Sequence, residues 1–173
     1  MKKIVLTAAL AGLALGTSAF AQDAMTATAN FVGKDGKEAG RATLTEAKDG
    51  VLIEVEATGL PPGTWVAFHV HETGKCDHAG GHESAGGHFD DEDDGKAEHG
   101  FLAANGPHDG DMPNQYVSAD GVMRAHIYNS AVSLNDDDDR IRGRALMIHA
   151  KPDDYRSQPS GGAGERLACA VIK

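Results

Sequence analysis

Short runs of alternating apolar and polar residues, separated by Gly, Asp and Asn, recur through most of this chain. Alternation with a period of two is typical of strands with one buried face, and no such run has the 3.6-residue period of a helix. Asp35-Gly36 and Asp49-Gly50 favour tight hairpins between runs. The candidate strands are 24–32, 51–56, 65–71, 116–118, 122–128, 144–148 and 166–172. This pattern predicts an all-β, antiparallel sandwich or barrel.

The N-terminus has a different composition from the rest of the chain. Two lysines precede an apolar stretch that is too short for a membrane span, and Ala19-Phe20-Ala21 resembles a signal-peptidase site. We therefore expect residues 1–21 to be a signal peptide, cleaved before Gln22, and residues 22–173 to form one exported domain. Lysines beside a short apolar segment are typical of bacterial signals, which predicts a periplasmic protein.

The charge of the chain restricts its partners. The net charge at pH 7 is −10, and removal of residues 1–21 takes away two lysines and no acid, which makes it −12. A field of this sign repels nucleic acids and anionic lipid surfaces, so neither is expected as a partner. The acidic runs at 90–94 and 136–139 lack the spaced oxygens and Gly of an EF-hand loop, and are interpreted as solvated loops.

Cys76 and Cys169 are the only cysteines. In an oxidising compartment an even pair predicts one disulfide, and two buried free thiols are the disfavoured alternative.

His69 and His71 lie one residue apart in an apolar segment. On a strand their imidazoles project to one face, while Phe68 and Val70 point to the core. Two imidazoles on a rigid strand form half of a transition-metal site, although a half-buried strand can carry such a pair without a metal. Further candidate ligands, mostly in the Gly- and His-rich loop over 72–114, are His88, His99, His108, Asp111 and His149. Six histidines and an aspartate are too many for one ion and fit two adjacent ions.

Several longer motifs follow in a fixed order along the chain. They are Phe68-His69-Val70-His71, Gly74-Lys75-Cys76, Ser84-Ala85-Gly86-Gly87-His88-Phe89, Gly106-Pro107-His108-Asp109-Gly110-Asp111, Gly143-Arg144-Ala145-Leu146-Met147-Ile148-His149-Ala150, Pro152-Asp153-Asp154-Tyr155 and Gly164-Glu165-Arg166-Leu167-Ala168-Cys169. Together they closely resemble the bacterial copper-zinc superoxide dismutases, from the first strand to Ile172. The resemblance implies a Greek-key β-barrel of about eight strands with a metal-ligand loop and an electrostatic loop. It also implies an oxidoreductase that converts superoxide to O₂ and H₂O₂.

The resemblance implies a role for each candidate ligand. Copper would be bound by His69, His71, His88 and His149. Zinc would be bound by His88, His99, His108 and Asp111. His88 would therefore bridge one copper and one zinc ion in each subunit, and would carry a proton during turnover.

The resemblance also assigns residues around the metals. Asp153 would link a copper ligand, His69, to a zinc ligand, His99, and so fix their orientation. Its neighbour Asp154 is expected to be an ordinary loop carboxylate. Arg166 would attract and orient the anionic substrate. The Cys76–Cys169 disulfide would anchor the ligand loop to the last strand.

Further expectations concern assembly and the remaining residues. Dimers are usual in the resembled family, so we expect a homodimer. His78 and His82 could capture metal in transit, but we expect them to be exposed loop residues. His126, in a strand, carries no family role. Ordinary packing is expected for Met112, Met123 and Met147.

Two other functions fit part of the pattern. A mononuclear zinc lyase or hydrolase also uses His-x-His with a distant His, but leaves His99, His108 and Asp111 unexplained. A periplasmic copper- or zinc-binding protein on the same barrel, without dismutase activity, would share every ligand. The complete ligand set together with Arg166 favours the dismutase.

Overall fold

The regular structure of the protein consists almost entirely of strands. The computed structural model describes residues 25–91, 96–135 and 138–173. Its elements are β1 (Thr26–Gly33), β2 (Glu38–Ala47), β3 (Gly50–Ala57), β4 (Trp65–Val66), β5 (Phe68–His71), a 3-10 turn (Glu83–Ala85), β6 (Gln115–Tyr116), β7 (Met123–Asn129), β8 (Ala145–His149) and β9 (Arg166–Val171). Among the described residues, no helix has the length and apolarity to cross a bilayer. The signal peptide predicted for 1–21 lies outside these residues and stays a prediction.

Seven strands form one antiparallel sheet in the order β5-β8-β9-β1-β2-β3-β7. The short strands β4 and β6 pair with each other in a second, two-stranded sheet. The large sheet curls into a half-barrel around a single main core of buried apolar side chains. The prediction of an all-β antiparallel fold is therefore confirmed.

Strand β3 illustrates why these sequences form strands. Val51, Ile53 and Val55 are buried, whereas Glu54 and Glu56, which follow Ile53 and Val55, are on the more exposed face. This alternation places one face of the strand on the core, as a period of two requires. Both predicted hairpins are present, connecting β1 to β2 and β2 to β3.

Strand β2 does not appear among the strands predicted from the sequence. Its buried positions are small or widely spaced, at Ala39, Ala42 and Leu44, so its apolar signal is weak. Gly40 lies between them with φ +133, and a Cβ there would lie 2.2 Å from the carbonyl oxygen of Glu56. Glycine is therefore required in the middle of this strand, where it further weakens the pattern.

The predicted strand 65–71 is two strands in the structure. Around Ala67 the chain changes partners: Trp65 and Val66 pair with β6, and β5 then pairs with β8. The Ala67 N–H donates to the Lys151 carbonyl over 2.9 Å, and its carbonyl accepts from the His149 N–H over 3.0 Å. These contacts belong to neither sheet and separate the two short strands.

Strand β5 lies between β8 and the long loop that follows it. On one side, His69 is opposite Met147 and His71 is opposite Ala145 of β8. On the other side, His69 forms a bridge with Asp111, and His71 forms a bridge with His88. Backbone pairing therefore places the loop residues beside the strand histidines.

Cys76 and Cys169 form the predicted disulfide, with a Cα–Cα distance of 5.5 Å. The bond connects the segment 76–87, here called the disulfide loop, to β9. Inside the loop, the Asp77 N–H donates to Ser84 Oγ, and that hydroxyl donates to the Lys75 carbonyl.

Replacement of Cys76 and Cys169 by Ser should destabilise the metal-free protein by about 4–5 kcal/mol, because the unfolded chain regains the entropy of an open loop. The sequence separation of the two cysteines is 93 residues. Guanidinium unfolding of the metal-free variant and of the metal-free wild type measures the difference. Reduced wild type is the control and should match the variant. Equal unfolding free energies for the variant and the oxidised wild type would contradict this expectation.

Candidate metal centre

The predicted ligands converge into two groups that share one residue. The all-histidine group contains His69, His71, His88 and His149. The mixed group contains His88, His99, His108 and Asp111. Within each group, one ligand atom from every residue lies within 4.8 Å of the others. The structure thus brings together all seven residues, and the identity of the ions that they bind stays a prediction.

In the all-histidine group, unprotonated ring nitrogens face one another. His71 Nδ1 donates to the Gly86 carbonyl over 3.0 Å, and His149 Nδ1 contacts the Gly164 carbonyl over 3.4 Å. In a neutral ring the other nitrogen, Nε2, then carries a lone pair. The two Nε2 atoms are 3.3 Å apart. Two lone pairs at this distance repel unless a proton or a metal ion lies between them.

The mixed group is built around the carboxylate of Asp111. Asp111 Oδ1 is 2.7 Å from His88 Nδ1 and 2.9 Å from His99 Nδ1. Asp111 Oδ2 is 3.8 Å from His108 Nδ1 and accepts the N–H of Gly100 over 2.8 Å. Three Nδ1 atoms and one carboxylate thus surround a small buried space, which is the donor set of a tetrahedral zinc site.

His88 belongs to both groups through its two ring nitrogens. Its Nδ1 faces Asp111, so Nε2 is the atom left for the all-histidine group. This Nε2 is fully buried and has no hydrogen-bond partner within the described part of the chain. The ring centroids of His69 and His71 are 4.1 Å and 5.1 Å from that of His88. A ring with both nitrogens directed at ligand groups can bridge two cations.

Asp153 connects the two groups from behind. Its Oδ2 accepts from His69 Nε2 over 3.0 Å, and its Oδ1 accepts from His99 Nε2 over 2.9 Å. Both rings therefore present Nδ1 to their groups, and His69 Nδ1 is buried without a partner among the described residues. Gly161 packs against Asp153 so closely that a Cβ would lie 1.8 Å from Oδ1.

Arg166 forms part of a cavity that reaches the shared histidine. The cavity has a volume of about 440 Å³, and His71, His88, His149 and Arg166 line it. Arg166 donates from Nη1 to the His82 carbonyl over 2.9 Å and from Nη2 to the Gly86 carbonyl over 2.8 Å. Only 16% of its side chain is exposed, so the guanidinium is a fixed positive charge in the cavity wall.

The sequence model of the copper/zinc superoxide dismutases matches residues 38–172. The chain belongs to the copper/zinc superoxide dismutase family. It is 44% identical to "Superoxide dismutase [Cu-Zn] 2" of Aquifex aeolicus over 100% of both sequences. The crystal structure of the Brucella abortus Cu/Zn superoxide dismutase aligns with a TM-score of 0.68 at 31% identity, covering 86% of this chain and 100% of that one. A superoxide dismutase-like protein from Bacillus subtilis aligns with a TM-score of 0.78 at 34% identity, covering 84% and 97%.

The electrostatics of the all-histidine group agree with the copper and zinc that this family implies. Burial, together with neighbouring imidazoles, lowers the pKa of His149 to about 3 and that of His71 well below its usual value. Burial also lowers the pKa of His88 to about 4, although the hydrogen bond to Asp111 opposes it. The three rings are therefore neutral at pH 7, which is the form that binds metal ions.

In the mixed group, His99 is protonated at a position where a metal cation would fit. Burial lowers the pKa of His99, but hydrogen bonds with Asp111 and Asp153 outweigh it and raise the pKa to about 9. Burial raises the pKa of each of the two carboxyls, yet hydrogen bonds from the histidines hold both pKa values well below the usual range. Two buried carboxylates thus require positive charge between them, which a metal ion supplies.

Two residues that position the ligand groups, Asn114 and Gln158, are not indicated by the sequence analysis. Asn114 accepts the Asp153 N–H over 2.7 Å and donates to the Asp153 carbonyl over 2.8 Å. Gln158 pairs in the same way with the backbone of His99. The two pairs are separated by 39 and 59 residues, and no local motif contains either pair.

Most expectations about residues outside the two ligand groups are confirmed. His78 is exposed, His126 is exposed on β7, and Met112, Met123 and Met147 are buried. Asp154 accepts N–H groups of its own loop, from Arg156 and Ser157. The expectation that His82 is exposed is wrong, because its relative exposure is 0%. It lies within the disulfide loop, with its ring buried and its carbonyl towards Arg166.

The buried histidines predict how the stability of the metal-free protein depends on pH. In the unfolded chain an imidazole takes up a proton near pH 6.5, whereas folded His88 stays neutral to about pH 4. The unfolded state therefore binds more protons, and stability is lost as the pH falls through this window. The slope is up to about 1.4 kcal/mol per pH unit for each such ring. The effect of His99 on stability has the opposite sign, because its pKa is higher in the folded than in the unfolded state. The stabilisation from protonated His99 is fully present below pH 6.5 and is lost as the pH rises through about 9.

Urea unfolding of the metal-free protein between pH 6.5 and 4 measures this slope. The His149→Gln variant should have a shallower slope, because one buried ring no longer titrates. His126→Gln is the matched control, since 72% of the His126 side chain is exposed. Equal slopes for wild type and His149→Gln would show that burial of this ring does not govern acid stability.

Proposed function

We propose that this protein is a copper-zinc superoxide dismutase that holds one copper and one zinc ion in each subunit. The observation that carries the proposal is the position of His88, whose ring belongs to two ligand groups of different chemistry. The proposed copper ligands are His69, His71, His88 and His149. The proposed zinc ligands are His88, His99, His108 and Asp111. Four imidazoles suit a redox-active copper, and a carboxylate among imidazoles suits zinc.

Copper, when bound, would take an electron from one superoxide and give an electron to the next, while zinc would stay redox-inert. Formation of H₂O₂ from a reduced superoxide takes up two protons, of which the chain would supply one through His88 and the solvent the other. The buried Nε2 of His88 is the atom that can take up this proton and give it to the reduced substrate. Asp111 lies 2.7 Å from the opposite nitrogen, Nδ1, and would hold that side of the ring as a fellow zinc ligand. Asp153 orients His69 and His99 by accepting at their Nε2 atoms.

Arg166 would bind the superoxide anion. The chain as a whole repels an anion, because its net charge is −10. A local positive potential at the cavity must therefore draw the substrate in. Arg166 lies in the cavity wall. Lys151 is close to this cavity, because its aliphatic carbons lie over Gly164, which also lines the cavity. Glu83 reaches to 3.5 Å from the guanidinium and remains largely exposed, so it neutralises little of that charge.

The alternatives explain fewer features of the site. A metal-binding protein without dismutase activity would use the same ligands, but it needs no fixed cation in the wall of the metal cavity. A mononuclear zinc enzyme leaves three of the seven convergent ligands, His99, His108 and Asp111, without a role. We therefore favour the dismutase, acting on superoxide as its small-molecule substrate.

We further propose a periplasmic location and a homodimer. The predicted signal peptide and the Cys76–Cys169 disulfide support export to an oxidising compartment. The relatives reported above come from bacteria. The dimer is proposed because dimers are usual in the resembled family.

Metal analysis of the mature protein, combined with a superoxide-dismutation assay, tests the proposed function. We expect one copper and one zinc per chain, and activity that is lost on copper removal and restored by copper. Bound copper without dismutation would favour the metal-binding protein. Zinc alone, with no copper absorption after loading, would favour the mononuclear zinc enzyme.

Replacement of Arg166 by Ala should lower kcat/KM by at least about tenfold and weaken its dependence on salt, because the local attraction for the anion is lost. Stopped-flow kinetics at several ionic strengths measure both effects on fully metallated protein. Arg166→Lys is the control: it keeps the charge but loses the two-pronged contact with the carbonyls, and should retain part of the salt dependence. Kinetics of Arg166→Ala that equal those of wild type would remove Arg166 from this role.

A further inference from the structure

His82 is a buried histidine that neither ligand group uses. Its relative exposure is 0%, and neither of its ring nitrogens has a hydrogen-bond partner among the residues that the structure describes. Burial of an unpaired polar group costs about 1–3 kcal/mol. The presence of such a residue in a short loop, despite this cost in stability, indicates that it has a function.

The backbone of His82 connects it to Arg166. His82 has φ 63 and ψ 15, a left-handed conformation directly after Gly81, which has φ 64. Its N–H donates to the Asp77 carbonyl over 2.8 Å, and its carbonyl accepts both the Ala85 N–H over 3.1 Å and Arg166 Nη1 over 2.9 Å. The buried ring therefore holds the strained backbone of His82 in place, and the carbonyl of His82 binds the guanidinium of Arg166.

The charges around the ring favour its neutral form. Arg166, Lys34 and His78 face it as cationic or ionisable groups, and Asp77 is the acidic group that opposes them. Glu83, the next residue, is directed at Arg166. Burial, followed by His78 and Arg166, lowers the pKa of His82. Protonation would add a buried positive charge close to the guanidinium, which is unfavourable.

We infer that His82 is a positioning residue for Arg166: its neutral ring keeps the His82 carbonyl on the guanidinium, and protonation of the ring releases it. The inference rests on the proposed function, in which Arg166 binds superoxide. Mild acid would therefore weaken substrate capture by Arg166.

The test compares pH profiles of kcat/KM for fully metallated wild type, His82→Phe and His82→Asn. Phe keeps an aromatic ring without a titratable group, and Asn tolerates the left-handed backbone. The wild-type value should fall on acidification with a one-proton profile, by up to about tenfold per pH unit below the pKa of His82. This step should be absent from both variants. His126→Phe is the control and should keep the wild-type profile, because His126 is exposed on β7.

A second measurement uses NMR of the wild-type protein loaded with zinc and reduced, diamagnetic copper. The ring signals of His82 and the guanidinium N–H signals of Arg166 should shift together with one midpoint. The inference is wrong if Arg166 does not follow His82, or if folded variants keep the wild-type acid step. If neither variant folds, the NMR titration alone decides. If the wild type fails to dismutate at every pH, the proposed function fails, and the NMR titration still decides whether His82 positions Arg166.

Discussion

Backbone hydrogen bonds between β5 and the returning ligand loop are the interaction on which the site depends. The Val70 N–H donates to the Gly110 carbonyl over 2.9 Å, and the Phe89 N–H donates to the Val70 carbonyl over 2.8 Å. A Cβ at Gly110 would lie 2.3 Å from the Val70 carbonyl oxygen, so only glycine allows this approach. Because these bonds fix the loop beside the strand, His88 lies next to His71.

Two buried carboxylates, Asp111 and Asp153, organise the histidines from opposite sides. Each accepts from two imidazoles, and His99 contacts both carboxylates. Asp153 accepts at the Nε2 atoms of His69 and His99, which directs the Nδ1 atoms of both rings into the ligand groups. The same carboxylates carry negative charge into a nearly dry interior, which favours a site that is completed by cations.

The fold class and all seven candidate ligands can be predicted from the sequence, because short motifs of His, Gly and Asp carry a strong local signal. It fails where a residue's role depends on distant partners. Asn114 and Gln158 contact residues far along the chain, and β2 is filled with small side chains that give no clear alternation. The position of His82 in a long loop indicates an exposed residue, and only the packed structure reveals that its ring is buried.

The disulfide loop meets β9 at two points: the bond between Cys76 and Cys169, and the contact of Arg166 with the His82 and Gly86 carbonyls. The two attachments lie on the same six-residue strand. A newly made chain in a reducing cytosol would lack the covalent attachment and hold its arginine through two hydrogen bonds alone. Oxidation of the two cysteines and the positioning of Arg166 are therefore physically coupled in this fold.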